Sequence, residues 1–233
     1  MSGSIQEHGV TLPHYIVHRV SCAPSEDWND PIWAAADWAR ISHFHPASSA
    51  HHPETLFRLL HDDETLHGVF WVQDRYVRCT HMTYQSAVYK DACVECFFKP
   101  LSDKGHMNFE MNCCGTLLLR YVENPTRLPD GGFARQEEAP QELGARVRIQ
   151  TSLSGPIAEE IAESLAWRLR FSIPVSVLEA YLGPLRPLAG RQWRANFYKC
   201  VEENSRPHWA AWAPIGERLD FHQPDRFGVV CFV

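Results

Sequence analysis

The sequence predicts an all-β protein: an antiparallel β-sandwich of jelly-roll type with one short helix. Three observations carry this. Short runs of aliphatic, aromatic and β-branched residues alternate apolar with polar at period two, which puts one face of each strand into a core. Turn residues separate the runs at intervals suited to a sandwich. Only Val175 to Leu182 reads as a helix, with Pro174 before its first turn and Gly183 as its stop.

The elements follow in order. Residues 1–27 form an N-terminal extension or a first strand. Trp28, Trp33 and Trp38 punctuate an alanine-rich segment over 28–41, read as an apolar stretch with a helical turn that must pack on something larger. Residues 55–60 and 66–73 read as strands, and the second is nearly all apolar, which suits burial on both faces. Residues 94–99 make a third. Over 107–112, Met107, Phe109 and Met111 alternate with Asn108, Glu110 and Asn112. Strands over 116–122, 145–151 and 167–173 come next; in the last, Trp167, Leu169, Phe171 and Ile173 alternate with Arg168, Arg170 and Ser172. After the helix come 191–200, 208–213 and 227–233. The stretch 125–140 is rich in Pro, Gly and Glu without periodicity and reads as a long surface loop. No repeat or linker divides the chain, so one domain over residues 1–233 is expected.

Composition narrows the function classes. With 233 residues, 45% hydrophobic and 21% charged, the chain is globular and long enough to bury a core without staples. Net charge is −6 and the cationic residues are scattered, which argues against a nucleic-acid partner. No apolar run reaches the length of a membrane span, so no membrane partner is expected. The first eight residues lack the pattern of a secretory signal, which points to the cytoplasm. Nothing in the sequence fixes an oligomeric state.

The eight cysteines are spread through a large apolar chain and read as mostly reduced and buried. Cys93-Val-Glu-Cys96 has the spacing of half a zinc site, with Cys113-Cys114 as a candidate second half. On a strand, however, positions 93 and 96 point to opposite faces, which argues against a shared metal. The thirteen histidines include His43-Phe-His45-Pro and His51-His52, the latter a candidate loop site with Asp62-Asp63. None matches a catalytic metal spacing.

Three stretches carry a family likeness: Asp91-Ala-Cys-Val-Glu-Cys-Phe-Phe98; Met107-Asn-Phe-Glu-Met-Asn112 with Gly115; and the closing set Trp193-Arg-Ala-Asn-Phe197, His208-Trp209 and Phe221-His-Gln-Pro-Asp-Arg-Phe-Gly228. Leu66 to Asp74 fits the same pattern. In order and spacing these resemble the family 9 carbohydrate-binding modules, over about residues 28–233. The resemblance implies a β-sandwich that holds a mono- or oligosaccharide end between two aromatic rings. By position the rings are Tyr89 and Phe221, and Glu95 bonds sugar hydroxyls. The family rings are typically Trp, and Glu110 stands where the family has a cation. The family also binds structural calcium, with no ligand placed on this chain. Heme-binding cytochrome domains share the fold, which would bring in Met82, Met107 or a nearby His.

The candidate sugar contacts are therefore Tyr89, Glu95, Phe221, Glu110, Asn112, Trp71 and Trp209. Trp212 is a further stacking candidate, but it lies three positions from Trp209 and so faces the other side of a strand. Each aromatic has a plainer reading as a packing residue. The row Asn108, Glu110, Asn112 is either a solvated face or a hydroxyl-binding one. Glu95 and Glu110 leave a glycoside hydrolase open as the alternative, since such chemistry needs two carboxyls in one cleft. A heme-binding or interaction module of the same fold is the third reading.

Overall fold

The computed structural model describes residues 5–7 and 10–233, with side chains from Leu12 onward. The chain begins with β1 (Ile5–Glu7) and β2 (Val10–Leu12), paired to each other, then β3 (His14–Arg19). The tryptophan-rich segment makes a short 3-10 turn over Pro31–Ala35, capped by the Asp30 carboxylate on the Ile32 amide, and buries Trp33. Short strands β4 (Ala39–Ile41) and β5 (His43–Phe44) lead into β6 (Glu54–His61), β7 (Thr65–Asp74) and β8 (Val77–Cys79). A second 3-10 turn, Val88–Lys90, precedes β9 (Cys93–Lys99), β10 (His106–Asn112), β11 (Leu117–Arg127) and β12 (Phe133–Glu138). The helical turn α1 (Gln141–Gly144) is followed by β13 (Arg148–Thr151), β14 (Ile157–Ile161) and β15 (Leu165–Pro174). Helix α2 (Val175–Leu182) is followed by β16 (Gln192–Val201), β17 (His208–Ala211) and β18 (Gly228–Phe232).

Hydrogen bonding runs in the order β12-β11-β10-β9-β16-β18-β3-β6-β7-β15-β13. The two ends of this path fold over each other as the layers of a sandwich. β3 joins them: residues 14–17 pair with β18, and His18 and Arg19 pair with β6. Both of those pairings are parallel, so the sandwich is antiparallel everywhere except at this crossover. The core lies between the layers. Phe57 of one layer stacks on Phe197 of the other at 3.9 Å, and Phe70, Phe98, Phe109, Trp167 and Trp193 close around them.

Two sequence expectations change. Residues 125–140 are not a loop but the tip and return strand of a hairpin, β11 with β12. β12 lies at the end of the ladder and exposes nearly all its polar side chains, so it has no alternation to read. Pro125 sits where the register slips between Asn124 and Arg127, and Gly131 takes a φ of 86° that suits glycine in the turn. The second change is in β10. Its polar positions are not solvated: Asn108 and Asn112 are fully buried and Glu110 is 4% exposed.

Candidate functional site

Alternation along the strands decides which residues build the site. Val94, Cys96 and Phe98 of β9, Met107, Phe109 and Met111 of β10, and Leu119 and Tyr121 of β11 point into the core between the layers. Their neighbours Glu95, Glu110 and Arg120 must then point to the outer face of the same sheet. That face is roofed. Tyr89 comes from the 3-10 turn before β9, Trp209 from β17, Phe133 from the β11–β12 hairpin, and Phe221 and His222 from the segment before β18. Together they line an open pocket of about 440 Å³. That size is ordinary for a small-molecule site.

A few contacts set the walls. Phe221 stacks on Tyr198 at 4.0 Å and 10°, and the Tyr198 hydroxyl donates to the Phe221 carbonyl at 2.9 Å. The Arg127 guanidinium grips Asp220 with two bonds, 3.1 and 2.8 Å, and lies 4.0 Å over Phe133. This clamp ties the hairpin to the segment carrying Phe221.

The floor is a carboxyl pair. Glu95 and Glu110 are direct partners across β9 and β10, and both are buried. Such partners have Cβ atoms roughly 5 Å apart on one face. Cys200 donates its thiol to Glu95 Oε1 at 3.1 Å, and Asn108 donates to Glu110 Oε1 at 2.5 Å. Burial pushes the Glu110 carboxyl up to about 7, against the pull of Arg120 and Asn108. Burial raises Glu95 well above the carboxylate range, helped by Cys200 and Glu110. At neutral pH the pair therefore holds protons and can both donate and accept hydrogen bonds.

Seven buried side-chain N or O atoms among the described residues lack a protein partner, and four of them are His106 Nδ1, Asn108 Oδ1, Glu110 Oε2 and Arg120 Nε, at outward positions of β10 and β11. Buried polar atoms are normally satisfied, and two of these four, on Glu110 and Arg120, belong to residues that line the pocket.

Five of the seven predicted contacts line this pocket: Tyr89, Glu95, Glu110, Trp209 and Phe221. Two lie elsewhere. Trp71 sits on β7 of the opposite layer, between Leu56 and Arg168. Asn112 is at the end of β10, where its amide donates to Asp91 and to the His81 carbonyl and accepts from the Cys114 and Thr116 amides. Trp212, as its spacing from Trp209 implied, faces the core.

Sequence reasoning missed Arg120, Arg127, Phe133, Cys200 and Asp220. Arg120 and Cys200 were findable by extending each strand's alternation. Phe133 lay in the stretch read as a loop, and the pairing of Arg127 with Asp220, 93 residues apart, leaves no local signal.

The other candidates disperse. Cys93 and Cys96 do face opposite sides, Cys96 into the main core and Cys93 toward Cys200. His51 bonds Asp74 at 2.9 Å while Asp62 bonds His67, so no His51-His52 site with Asp62-Asp63 forms. Met107 is core, and Met82 is 40% exposed. Calcium takes six to eight oxygen ligands. The metal-capable groupings of His, Cys, Asp and Glu among the described residues are Cys79, Cys113, Cys114 and Cys93, Glu95, Cys200, sulfur-rich sets that do not fit it. Among the described residues no helix is long and apolar enough to cross a membrane.

No curated protein matches the chain. Among solved structures, a candidate carbohydrate-binding protein from Bacteroides uniformis is 30% identical with a TM-score of 0.82, over 94% of this chain and 99% of that one. A family 9 carbohydrate-binding module from Caldicellulosiruptor kristjanssonii, in complex with cellotriose, shares the fold at 17% identity and a TM-score of 0.62, over 94% of this chain and 93% of that one. The same organism's module in complex with glucose gives 16% and 0.62, over 94% and 95%. The model for carbohydrate-binding family 9 matches residues 32–232. On that match, which runs through every strand of the pocket, the chain belongs to carbohydrate-binding family 9.

Proposed function

We propose that the chain binds carbohydrate by seating the end of a mono- or oligosaccharide in the pocket on the outer face of β9, β10, β11 and β16. The observation that carries this is the floor: buried, unpartnered polar atoms on Glu110 and Arg120 beneath aromatic walls. A sugar ring has two kinds of surface. Its C–H faces pack on aromatic rings, here Tyr89, Trp209 and Phe221, and its hydroxyls need donors and acceptors at fixed positions. A carboxyl pair that shares protons supplies both. Phe221 has one face spent on Tyr198, so only its other face is free for a ligand.

The same pair favours binding over hydrolysis. Glycoside hydrolysis places its two carboxyls on either side of the scissile bond. Glu95 and Glu110 rise from one floor on adjacent strands, so a ring would lie above both. A concave pocket suits a soluble sugar end, such as polysaccharide breakdown releases, better than a flat polymer surface.

Relatives of the fold are known in complex with glucose and cellotriose, which sets the first panel. Isothermal titration of the full chain with glucose, cellotriose and xylo-oligosaccharides is expected to give one site per chain. No heat at millimolar sugar across the panel overturns the proposal.

A further inference from the structure

A second cluster of chemistry lies away from the sugar pocket. β8 ends at Cys79, and the turn after β10 carries Cys113 and Cys114. Their three sulfurs lie within 4.8 Å of one another, with Cys113 and Cys114 Sγ 4.0 Å apart. A cation about 2.3 Å from three sulfurs in one plane holds them about 4.0 Å apart. The cluster thus already has nearly the spacing that one ion demands. A disulfide would need its two sulfurs at about 2 Å.

The surroundings hold this arrangement. Asn112 ties the Cys113–Cys114 turn to the strand end at Cys79: its side chain bonds Asp91 Oδ2 and the His81 carbonyl on one side and the Cys114 and Thr116 amides on the other. The chain at Gly155 lies so close that a Cβ there would sit 2.5 Å from Cys114 Sγ and 3.2 Å from the Met82 methyl. Cys79 and Cys113 are buried, but Cys114 and Met82 line a surface groove of about 480 Å³, which gives an ion a way in.

We propose that Cys79, Cys113 and Cys114 form a three-sulfur site for a soft monovalent cation of the Cu(I) type. The donor count decides between metals. Zinc in a structural site takes four ligands in a tetrahedron. The Asp91 carboxylate lies beside the cluster, with Oδ2 3.6 Å from Cys79 Sγ. That carboxylate is already spent: Oδ1 accepts from the Thr80 amide and His81 Nδ1, and Oδ2 from the His81 amide and Asn112. The site therefore offers three soft donors, with the Met82 thioether beside them, a set that selects Cu(I) over harder ions. Each sulfur that binds as a thiolate releases its proton to solvent, so affinity rises with pH.

The test is an anaerobic Cu(I) titration of the reduced full chain against a chromophoric Cu(I) chelator, read together with the ultraviolet thiolate-to-copper charge-transfer band. One ion per chain and a band that saturates there are expected. Cys114→Ser, at a half-exposed position, should keep the wild-type circular dichroism and lose both the band and the competition. Cys93→Ser and Cys200→Ser, in the other sulfur group, should keep them. Cu(I) binding unchanged in Cys114→Ser, or abolished by Cys200→Ser instead, overturns the assignment. So does Zn(II) displacing Cu(I) at equal concentration, or a Cys113–Cys114 disulfide found by mass spectrometry in protein purified without reductant.

Discussion

β16 buries polar residues on both of its faces, and the two faces treat them in opposite ways. On the core side, Lys199 is fully buried, yet each of its neighbours answers it. Its ammonium lies 3.4 Å from Asp74, 3.0 Å from His208 Nε2 and 3.2 Å from the Cys200 carbonyl. Asp74 in turn accepts from His51 at 2.9 Å, the Trp167 indole at 3.3 Å and the Arg75 amide at 2.8 Å. On the outer side, one residue along, Cys200 faces Glu95 and its partner Glu110, whose second oxygen has no protein partner. Burial alone does not separate a structural group from a binding one. Closure of the hydrogen-bond network does.

The largest effect should come from opening the closed side. Burial works against the charge of Asp74, but Lys199, His51 and His208 hold its carboxyl well below the usual range. Asp74→Leu leaves the buried Lys199 without its carboxylate partner. Removing one partner of a buried pair costs about 3–5 kcal/mol, a loss that urea denaturation would register as a lower midpoint. Asp74→Leu combined with Lys199→Met should recover most of it, because an apolar pair needs no partner. Equal damage from the double variant would show that the pair stabilises through packing that the new side chains cannot reproduce.

The open side should respond to pH instead. The folded value of Glu110, about 7, lies above its ordinary value of 4.5, so the folded state binds the proton more tightly. That contribution is fully present below pH 4.5 and is lost as pH rises through about 7. Burial of His106 and His208, both held down at about 3, has the opposite sign: their contribution is present above pH 6.5 and lost as pH falls toward 3. Glu110→Gln removes only the first of these. Its stability relative to wild type should therefore climb between pH 5 and pH 8, by at most on the order of 3 kcal/mol. A difference that stays flat with pH would mean that Glu110 is ionised in the folded protein and that the floor is an anion.

The contrast between the two faces also explains what the sequence disclosed. Strand positions were legible because β10 and β15 alternate at period two and β7 is nearly all apolar, and α2 was legible from Pro174 and Gly183. The expectation of a solvated or ligand-binding row at Asn108, Glu110 and Asn112 could not be resolved further, since covering of that face comes from residues 89, 133, 209 and 221, distant in the chain. The family likeness placed Tyr89 and Phe221 in the pocket. It could not separate Asn112, spent on the thiol-bearing turn, from Glu110 two residues earlier, because what differs between them is their partners. β12 stayed hidden because an edge strand with polar side chains carries no hydrophobic period.

The smallest expected effect sharpens the comparison at the pocket wall. Trp209 is partly exposed, lies between the 3-10 turn and β16, and packs with Tyr89 and Phe221 over Cys93 and Cys200. Trp71 is likewise partly exposed but belongs to the other layer. Loss of one stacking ring costs about 1.4 kcal/mol, or about tenfold in affinity. Trp209→Ala should therefore weaken the binding of glucose or cellotriose by about tenfold, and Trp71→Ala should leave it unchanged. Phe221→Ala should fall between them, because its ring offers a ligand one face and gives the other to Tyr198. Titration calorimetry on the three variants reads this order directly. If Trp71→Ala weakens binding as much as Trp209→Ala does, the sugar lies on the opposite layer, and the unpartnered floor at Glu110 and Arg120 answers to some other ligand.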